Sequence, residues 1–299
     1  MRRHGDVTNR RRFVSVVFAA VVALALVAGS LAQTPASPPF FFIQLSDPQF
    51  GMFTKDQEFA QETVNFEMAV ATVNRLKPAF VVVTGDLVNR PGDSGQIAEY
   101  KRIAAKVDKS IPLYNVAGNH DVENEPTPES VDAYRKAFGR DYYSFRFGSL
   151  VGIVLNSSLI HSPGKAAGLA DEQKGWLLAE LTRLQASGAR HLVVVQHHPW
   201  FLKTGDEPDE YFNIPLARRA VYLEAFKQAG VRTLISGHYH RNALARIGDI
   251  EMITSGPVGK PLGDTPLSGI RVFIIRDDGL SHRFYSLGEL PNTIDLNAK

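Results

Sequence analysis

Five short apolar runs in this sequence are each followed at once by residues that ligate metals. Asp47 and Gln49, in the stretch "SDPQFG", stand behind Phe40 to Leu45, and Gly85-Asp86 stands behind Val81-Val82-Val83-Thr84. Gly118-Asn119-His120-Asp121 follows Leu113 to Val116, His197-His198-Pro199 follows Val193 to Val195, and Gly237-His238-Tyr239-His240 follows Leu234-Ile235. Carboxylate, amide and imidazole without thiolate suit borderline or hard divalent ions such as Mn, Fe, Zn or Mg, and the set is large enough for two. Two such ions roughly 3.5 to 4 Å apart clamp the attacking and leaving oxygens of an in-line phosphoryl displacement. Singly each fragment is weak, because Gly-Asp is a common turn and a His pair is a common surface or core feature. Together they place polar groups that are costly to bury at one end of five buried segments, and a shared metal cluster accounts for that directly.

The segments that must carry these residues read as strands. Phe40 to Leu45, Ala79 to Val83, Leu113 to Val116, Val151 to Leu155, Leu192 to Val195 and Val231 to Ile235 are short, β-branched or aromatic, and apolar on both faces, as expected of strands covered by helices. The carboxyl ends of such strands line the ligand crevice of an α/β sheet, so distant residues converge there. Gly85 and Gly118 are expected to let the backbone turn so that Asp86 and Asn119 face that crevice. Phe59, Thr63, Phe66, Val70 and Val73 follow helical spacing up to Pro78, and Asp171 is expected to cap a helix whose Leu177, Leu181 and Leu184 point inward. Towards the C-terminus Ala243 to Ile247, Glu251 to Thr254, Ile270 to Ile275 and His282 to Tyr285 read as strand after strand. The pattern is that of an α/β sandwich in one domain of residues 40–290, with a tail at 291–299 and no internal repeat.

The 299 residues are 44% hydrophobic and 21% charged, which excludes a disordered or fibrous chain. Residues 1–32 read as a signal peptide: Arg2, Arg3, Arg10, Arg11 and Arg12 precede an apolar stretch from Phe13 to Ala28, and Ser30 and Ala32 place cleavage after Ala32. The run Arg10-Arg11-Arg12-Phe13-Val14 resembles a twin-arginine export signal. The alternative is an uncleaved anchor, since the stretch approaches the roughly 18 residues needed to span a bilayer. A Pro-rich linker, 33–39, follows. Cleavage removes five of the 33 basic and one of the 31 acidic residues, leaving 28 against 30 and a net charge of −2, so no basic footprint argues for nucleic acid. There is no Cys, hence neither a disulfide nor a lipidated Cys anchor. The expected location is exported, periplasmic or secreted, with no stable membrane span after cleavage.

The ordered set Asp47-x-Gln49, Gly85-Asp86, Gly118-Asn119-His120-Asp121, His197-x-Pro199 and Gly237-His238-x-His240 resembles the calcineurin-like metallophosphoesterase superfamily over residues 40 to 240. "GNHDVENEPTPESV", "QHHPWFL", "DEYFNIP", "SGHYHRNA" and "RVFIIRDDGLSHRFYSL" further resemble its calcineurin-like phosphoesterase domain-containing serine/threonine phosphatases, whose first motif also reads Asp-Pro-Gln. The resemblance implies a four-layer α/β/β/α sandwich with a dimetal site at strand C-terminal ends. It implies a first ion held by Asp47, Gln49, Asp86 and His240, and a second held by Asp86, Asn119, His197 and His238. His120 would contact phosphate and protonate the leaving oxygen. Asp121 would either orient His120 or cap its own turn. The implied reaction is phosphomonoester hydrolysis by attack of a metal-bridging hydroxide. Phosphodiester hydrolysis, including cyclic nucleotides, and metal or ligand binding without turnover are the alternatives.

Two residues depart from the superfamily pattern. Gln49 stands where His is usual and offers a neutral but harder oxygen ligand, so weaker first-site occupancy and a shift towards Mn or Mg are expected. Asn89 stands where phosphoprotein phosphatases of the superfamily have an Asp that pairs with the catalytic His, and an amide stabilises an imidazolium less than a carboxylate does. His198 should point away from the crevice, opposite to His197. His161 is expected in a surface loop, and Arg90 and Arg241 either meet phosphate or are solvated. Trp200, Phe201, Tyr211 and Phe212 either wall the cleft or close the core.

Overall fold

The computed structural model describes residues 38–185, 187–263 and 267–297; the leader at 1–32 and linker residues 33–37 lie outside them. In chain order the strands are β1 (Phe40–Leu45), β2 (Val81–Val83), β3 (Leu113–Asn115), β4 (Tyr143–Phe147), β5 (Leu150–Val154), β6 (His191–Val195), β7 (Thr233–Ser236), β8 (Ala243–Ile247), β9 (Ile250–Thr254), β10 (Gly269–Arg276) and β11 (Gly279–Ser286). The helices are α1 (Ala60–Leu76), α2 (Ser94–Ala104), α3 (Asn119–Val122), α4 (Pro128–Phe138), α5 (Ser157–His161), α6 (Ala167–Gln185) and α7 (Leu216–Ala229). A five-stranded sheet has the order β11-β10-β1-β2-β3 and a six-stranded sheet the order β4-β5-β6-β7-β9-β8. β1, β2 and β3 are mutually parallel, as are β5, β6, β7 and β9, so the functional strands of each sheet end on the same side.

The period-2 geometry of a strand divides the apolar residues between layers. Phe42, Val82, Val193, Val195, Phe273 and Ile275 pack in the layer between the two sheets. Their neighbours Ile43, Val81 and Val83 pack with Phe66, Val70 and Val73 of α1, while Leu192 and Val194 pack with Leu177, Leu181 and Leu184 of α6. The result is the expected α/β sandwich of helix, sheet, sheet and helix layers. Phe42 is stacked between Phe80 and Phe273, with ring centroids 4.6 Å away on each side. α1 stops where anticipated: Lys77 adopts φ 55 and its N–H donates to the Val73 carbonyl, ahead of Pro78.

Three expectations change. Asp171 does not cap its helix, because a 3-10 turn at Gly164–Ala166 runs directly into α6 from Ala167. Leu113 to Val116 is less buried than expected: β3 lies at the sheet edge and Leu113, Tyr114 and Asn115 are half-buried, although Val116 is fully buried between the sheets. β4 was not anticipated although Tyr-Ser-Phe-Arg-Phe alternates in polarity, the mark of a half-exposed strand. Beyond β11, Leu287, Leu290 and Ile294 pack onto the α1 side of the core, and Arg75 donates to the Pro291 carbonyl at 2.9 Å.

Candidate metal centre

Loops from both sheets meet at the carboxyl ends of β1, β2, β3, β6 and β7. Asp47, Gln49, Asp86, His238 and His240 all hold left-handed backbone conformations, with φ of 47°, 40°, 49°, 69° and 54°. Few non-glycine residues do so, and such conformations collect where surrounding structure holds a functional geometry. Gly85 is also left-handed, and its missing Cβ leaves room for the His197 ring, which a side chain would approach to 2.4 Å. Gly118 serves differently from the expected turn: its φ is −101°, and its hydrogen is what lets the backbone lie against Asp86.

The ligand-type side chains converge as the motifs required. Asp47, Asp86 and His240 bring ligand atoms within 4.8 Å of one another, and Asp86, His197 and His238 do the same, so Asp86 belongs to both groups. Asn119 joins the second through Oδ1, 3.0 Å from His197 Nε2. Gln49 is buried, its backbone N–H donates to the Asp86 carbonyl at 2.8 Å, and its Oε1 has no hydrogen-bond partner among the described residues.

Each imidazole is turned by a backbone carbonyl. His197 Nδ1 lies 2.8 Å from the Thr84 oxygen, His240 Nδ1 2.5 Å from the Lys260 oxygen, and His238 Nε2 3.1 Å from the Tyr211 oxygen. A carbonyl only accepts, so these nitrogens carry the protons and the opposite nitrogens present lone pairs to the centre. There, acceptors face acceptors. His238 Nδ1 is 3.1 Å from His197 Nε2, His240 Nε2 is 3.4 Å from Asp47 Oδ1, and His197 Nε2 is 3.3 Å from Asp86 Oδ2. Such crowding of lone pairs is repulsive unless positive charge, a proton or a metal ion, lies among them, and the buried Gln49 oxygen is one more electron donor without a partner among the described residues. The residues present fit two divalent ions.

The carboxylates favour positive charge at the centre, where a proton on His197 competes with a metal ion. Burial opposes a charged His197, yet the Asp86 and Asp47 carboxylates and the Thr84 carbonyl push its pKa up to about 9. Burial and the neighbouring His197 push His238 well down. Burial likewise disfavours a charged Asp86, but His197, His120 and His238 overcome it and hold that carboxyl below its ordinary value. Burial dominates at Asp47 and raises it despite His240 and His197.

His120 sits on α3 beside the shared carboxylate: its backbone N–H donates to Asp86 Oδ1 at 2.9 Å, and its ring Nδ1 lies 2.7 Å from the Asn89 carbonyl oxygen. That carbonyl, supplied by the backbone, orients the ring. Asp121 accepts from the N–H groups of Leu87, Val88 and Gly118 at 2.9, 3.2 and 2.8 Å. Its carboxylate is committed to the turn, the capping alternative, and stands close enough to Asp86 that burial and that charge raise its pKa well above the usual range.

His198 is buried behind the centre, 2.9 Å from Ser157 Oγ and with its ring 4.3 Å from that of His238. His161 belongs to α5, not to a surface loop, and stacks on His198 at 4.8 Å. Arg90 lies 3.5 Å from Asp56 and 3.7 Å from Asp93, while Arg241 lies over Tyr239 and donates to the Leu262 carbonyl. The four aromatics divide: Trp200 and Phe201 close the core, whereas the rings of Tyr211 and Phe212 lie 5.0 and 5.5 Å from that of His238. Sequence reasoning missed Asp56 and the three carbonyls that turn the imidazoles. Asp56 stands in a loop outside every motif, and a carbonyl carries no residue identity.

A family model described as Calcineurin-like phosphoesterase matches residues 42–242. The chain belongs to that family of metal-dependent phosphoric ester hydrolases, as the five motifs implied. It is similar to a Bos taurus protein, Serine/threonine-protein phosphatase CPPED1, at 40% identity over 267 residues covering 84% of this chain and 85% of the relative. A dimetal phosphatase from Danio rerio has a TM-score of 0.61 at 15% identity, over 85% of this chain and 98% of that one. GAP50, described as the anchor in the inner membrane complex of Plasmodium, reaches 0.65 at 14% identity over 85% and 87%. These two structural likenesses concern the fold alone.

Proposed function

We propose that the protein is an exported phosphatase that hydrolyses phosphomonoesters at a centre of two divalent ions. The observation that carries this is the pair of acceptor-lined ligand groups sharing Asp86, with His120 beside them, its backbone N–H donating to Asp86 Oδ1 and its imidazole near enough to favour the Asp86 charge. Asp47, Gln49, Asp86 and His240 would hold one ion, and Asp86, Asn119, His197 and His238 the other. When bound, the ions supply Lewis acidity that activates water and offsets phosphoryl charge.

The chain's own residues do the rest. The Thr84, Lys260 and Tyr211 carbonyls hold three imidazoles in one tautomer, so no reorganisation is needed when charge develops. His120, oriented by the Asn89 carbonyl, delivers a proton to the ester oxygen as its bond to phosphorus breaks and the bond from the water oxygen forms, yielding an alcohol and inorganic phosphate. Asp47 and Asp86 bring two negative charges against the four of two divalent ions. That imbalance favours a monoester dianion over a diester monoanion, and the Bos taurus relative bears a phosphoprotein phosphatase name. Among the described residues no helix is long and apolar enough to cross a membrane, and segment 1–32 would direct export.

A matrix of Mn2+, Fe2+, Zn2+ and Mg2+ against an aryl phosphate, a phosphoserine peptide and a bis-aryl phosphate diester tests the reading on protein starting at Gln33. Monoester turnover exceeding diester turnover is expected. Diester preference would replace the reading with phosphodiesterase, and no turnover with any ion would replace it with a binding role. Mass spectrometry of the mature N-terminus is expected to find Gln33 first, and an intact residue 1 would refute cleavage.

A further inference from the structure

We infer that Asp56 and Asn89 are positioning residues that lock the Gln49 amide with its oxygen towards the first metal site. The inference rests on the reading of Gln49 as a ligand of that site. It follows from a chain of hydrogen bonds in which each assignment forces the next. The N–H groups of Asn89 and Arg90 can only donate, and both lie 2.9 Å from Gln96 Oε1, so Gln96 must turn its Nε2 the other way, to Asp56 Oδ1 at 2.8 Å.

The Asp56 carboxylate can only accept. It takes a second hydrogen bond at the same Oδ1 from Asn89 Nδ2, also at 2.8 Å, which leaves Asn89 Oδ1 facing Gln49. An oxygen there requires a donor, and Gln49 Nε2 supplies it at 3.1 Å. The Gln49 oxygen is thereby directed away, into the buried space where it has no partner among the described residues. A flipped Gln49 would set carbonyl against carbonyl and leave a buried N–H2 without an acceptor, a cost that a lone amide in water would not pay.

The surroundings are shaped for this chain. Asp56 itself is left-handed, at φ 66, with its N–H donating to the Gly51 carbonyl at 2.8 Å. A Cβ at Gly51 would fall 2.7 Å from both Asp56 Oδ1 and Gln96 Nε2, so only glycine leaves room for that hydrogen bond. Burial opposes a charged Asp56, but the Asn89 and Gln96 amide donors, and then Arg90 at 3.5 Å from Oδ2, hold the carboxyl below its ordinary pKa. An Asp at position 89 would put an acceptor where Asp56 now meets a donor at 2.8 Å. Asn89 and Gln49 are therefore a matched pair, tied to Asp56.

Calorimetric titration of the metal-free full chain with Mn2+ tests this without reference to turnover; the binding step abolished by His240→Ala marks the first site. Asp56→Ala and Asn89→Ala are expected to weaken that step on the order of 10-fold or more, the usual effect of removing an outer partner of a ligand, and to leave the other step unchanged. Asp56→Asn, which keeps an accepting oxygen, should stay near wild type. In a Gln49→Ala background Asp56→Ala should weaken the first step no further. An equal loss in that background, or a loss in Asp56→Asn as large as in Asp56→Ala, would mean that Asp56 acts by charge alone and would overturn the inference. Gln49→Ala with unchanged first-site affinity would sink Gln49 as a ligand and the inference with it, whereas loss in Gln49→Ala but not in Asp56→Ala or Asn89→Ala would sink the inference alone. Asn89→Ala leaves the Asp56 turn intact, so it carries the test should Asp56→Ala fail to fold.

Discussion

Adding one methyl group at Gly118 should disable the whole centre. The backbone there, at φ −101° and ψ 171°, is open to alanine, so the penalty is purely one of space. An ideal Cβ would lie 2.2 Å from both the Asp86 nitrogen and Asp86 Oδ1, where ordinary contacts begin at 3.4 Å. One partner must therefore move by roughly 1 Å, a displacement that in an active site costs on the order of 100-fold in rate. Asp86 has little freedom to yield: its carbonyl accepts from the Gln49 N–H at 2.8 Å and its Oδ1 from the His120 N–H at 2.9 Å. The movement would reach Gln49, the shared carboxylate and His120 together.

Gly118→Ala is thus expected to lose about 1–3 kcal/mol of stability, as overpacked cores do. It should also weaken both Mn2+ binding steps, because Asp86 belongs to both ligand groups. Gly175→Ala is the control. Gly175 lies within α6, and its added Cβ would meet nothing within 4 Å, so a gain of about 0.5–1 kcal/mol from the better helix former is expected. Urea unfolding, Mn2+ calorimetry and aryl phosphate turnover would be measured on both variants. A Gly118→Ala protein that binds two ions with wild-type affinity and turns over normally would refute the argument that close backbone approach builds the site.

Gln49→His should raise first-site affinity for Zn2+ relative to Mn2+, since imidazole is the softer ligand; unchanged metal preference by competition titration would contradict the assignment. Tyr211 turns His238 with its backbone while its ring is exposed beside the centre, and Asn119 Nδ2 keeps its 2.8 Å bond to Asn124 when the longer one to the Tyr211 hydroxyl is lost, so Tyr211→Ala and Tyr211→Phe should keep both metals. The Ala variant should raise KM for an aryl phosphate more than the Phe variant does, and an unaltered KM would remove Tyr211 from the substrate wall. His282 is held to a pKa of about 4 by burial and by Arg271, whose Nη1 lies 2.8 Å from its Nδ1. The unfolded chain binds its proton near pH 6.5, so stability is full above that value and falls as pH drops towards 4, by less than the roughly 1.4 kcal/mol per unit that a fully sequestered group would give. His282→Gln should flatten urea-unfolding stability between those pH values; an identical slope would show that other groups cause it.

What the sequence made legible follows from what side-chain identity encodes. The strands that carry the centre are runs such as Val81-Val82-Val83 and Val193-Val194-Val195, buried on both faces, and composition alone marks them. α2 and α7 were not legible because polar residues interrupt their buried stripes. In α2 the inward positions include Gln96, which fixes Asn89 and Arg90, and in α7 they include Arg219. Arg219 is fully buried and spends its guanidinium on the Gly205, Glu207 and Ile214 carbonyls, clamping the loop that carries Tyr211. A hydrophobic-periodicity argument necessarily discards such a residue.

The two departures from the superfamily pattern are joined in the fold. Read along the chain, Gln49 and Asn89 are 40 residues apart and look like two independent losses, one of a metal-binding imidazole and one of a carboxylate beside His120. In the fold the orienting part of that lost role, though not its charge, falls to the Asn89 backbone, whose carbonyl meets His120 whatever side chain stands there. That frees the Asn89 side chain to accept from Gln49 and donate to Asp56, a pairing that an ionised carboxylate, which only accepts, could not make. A neutral ligand at position 49 and a neutral relay at position 89 are then one device, because Asp56 supplies the fixed acceptor that decides which way both amides face.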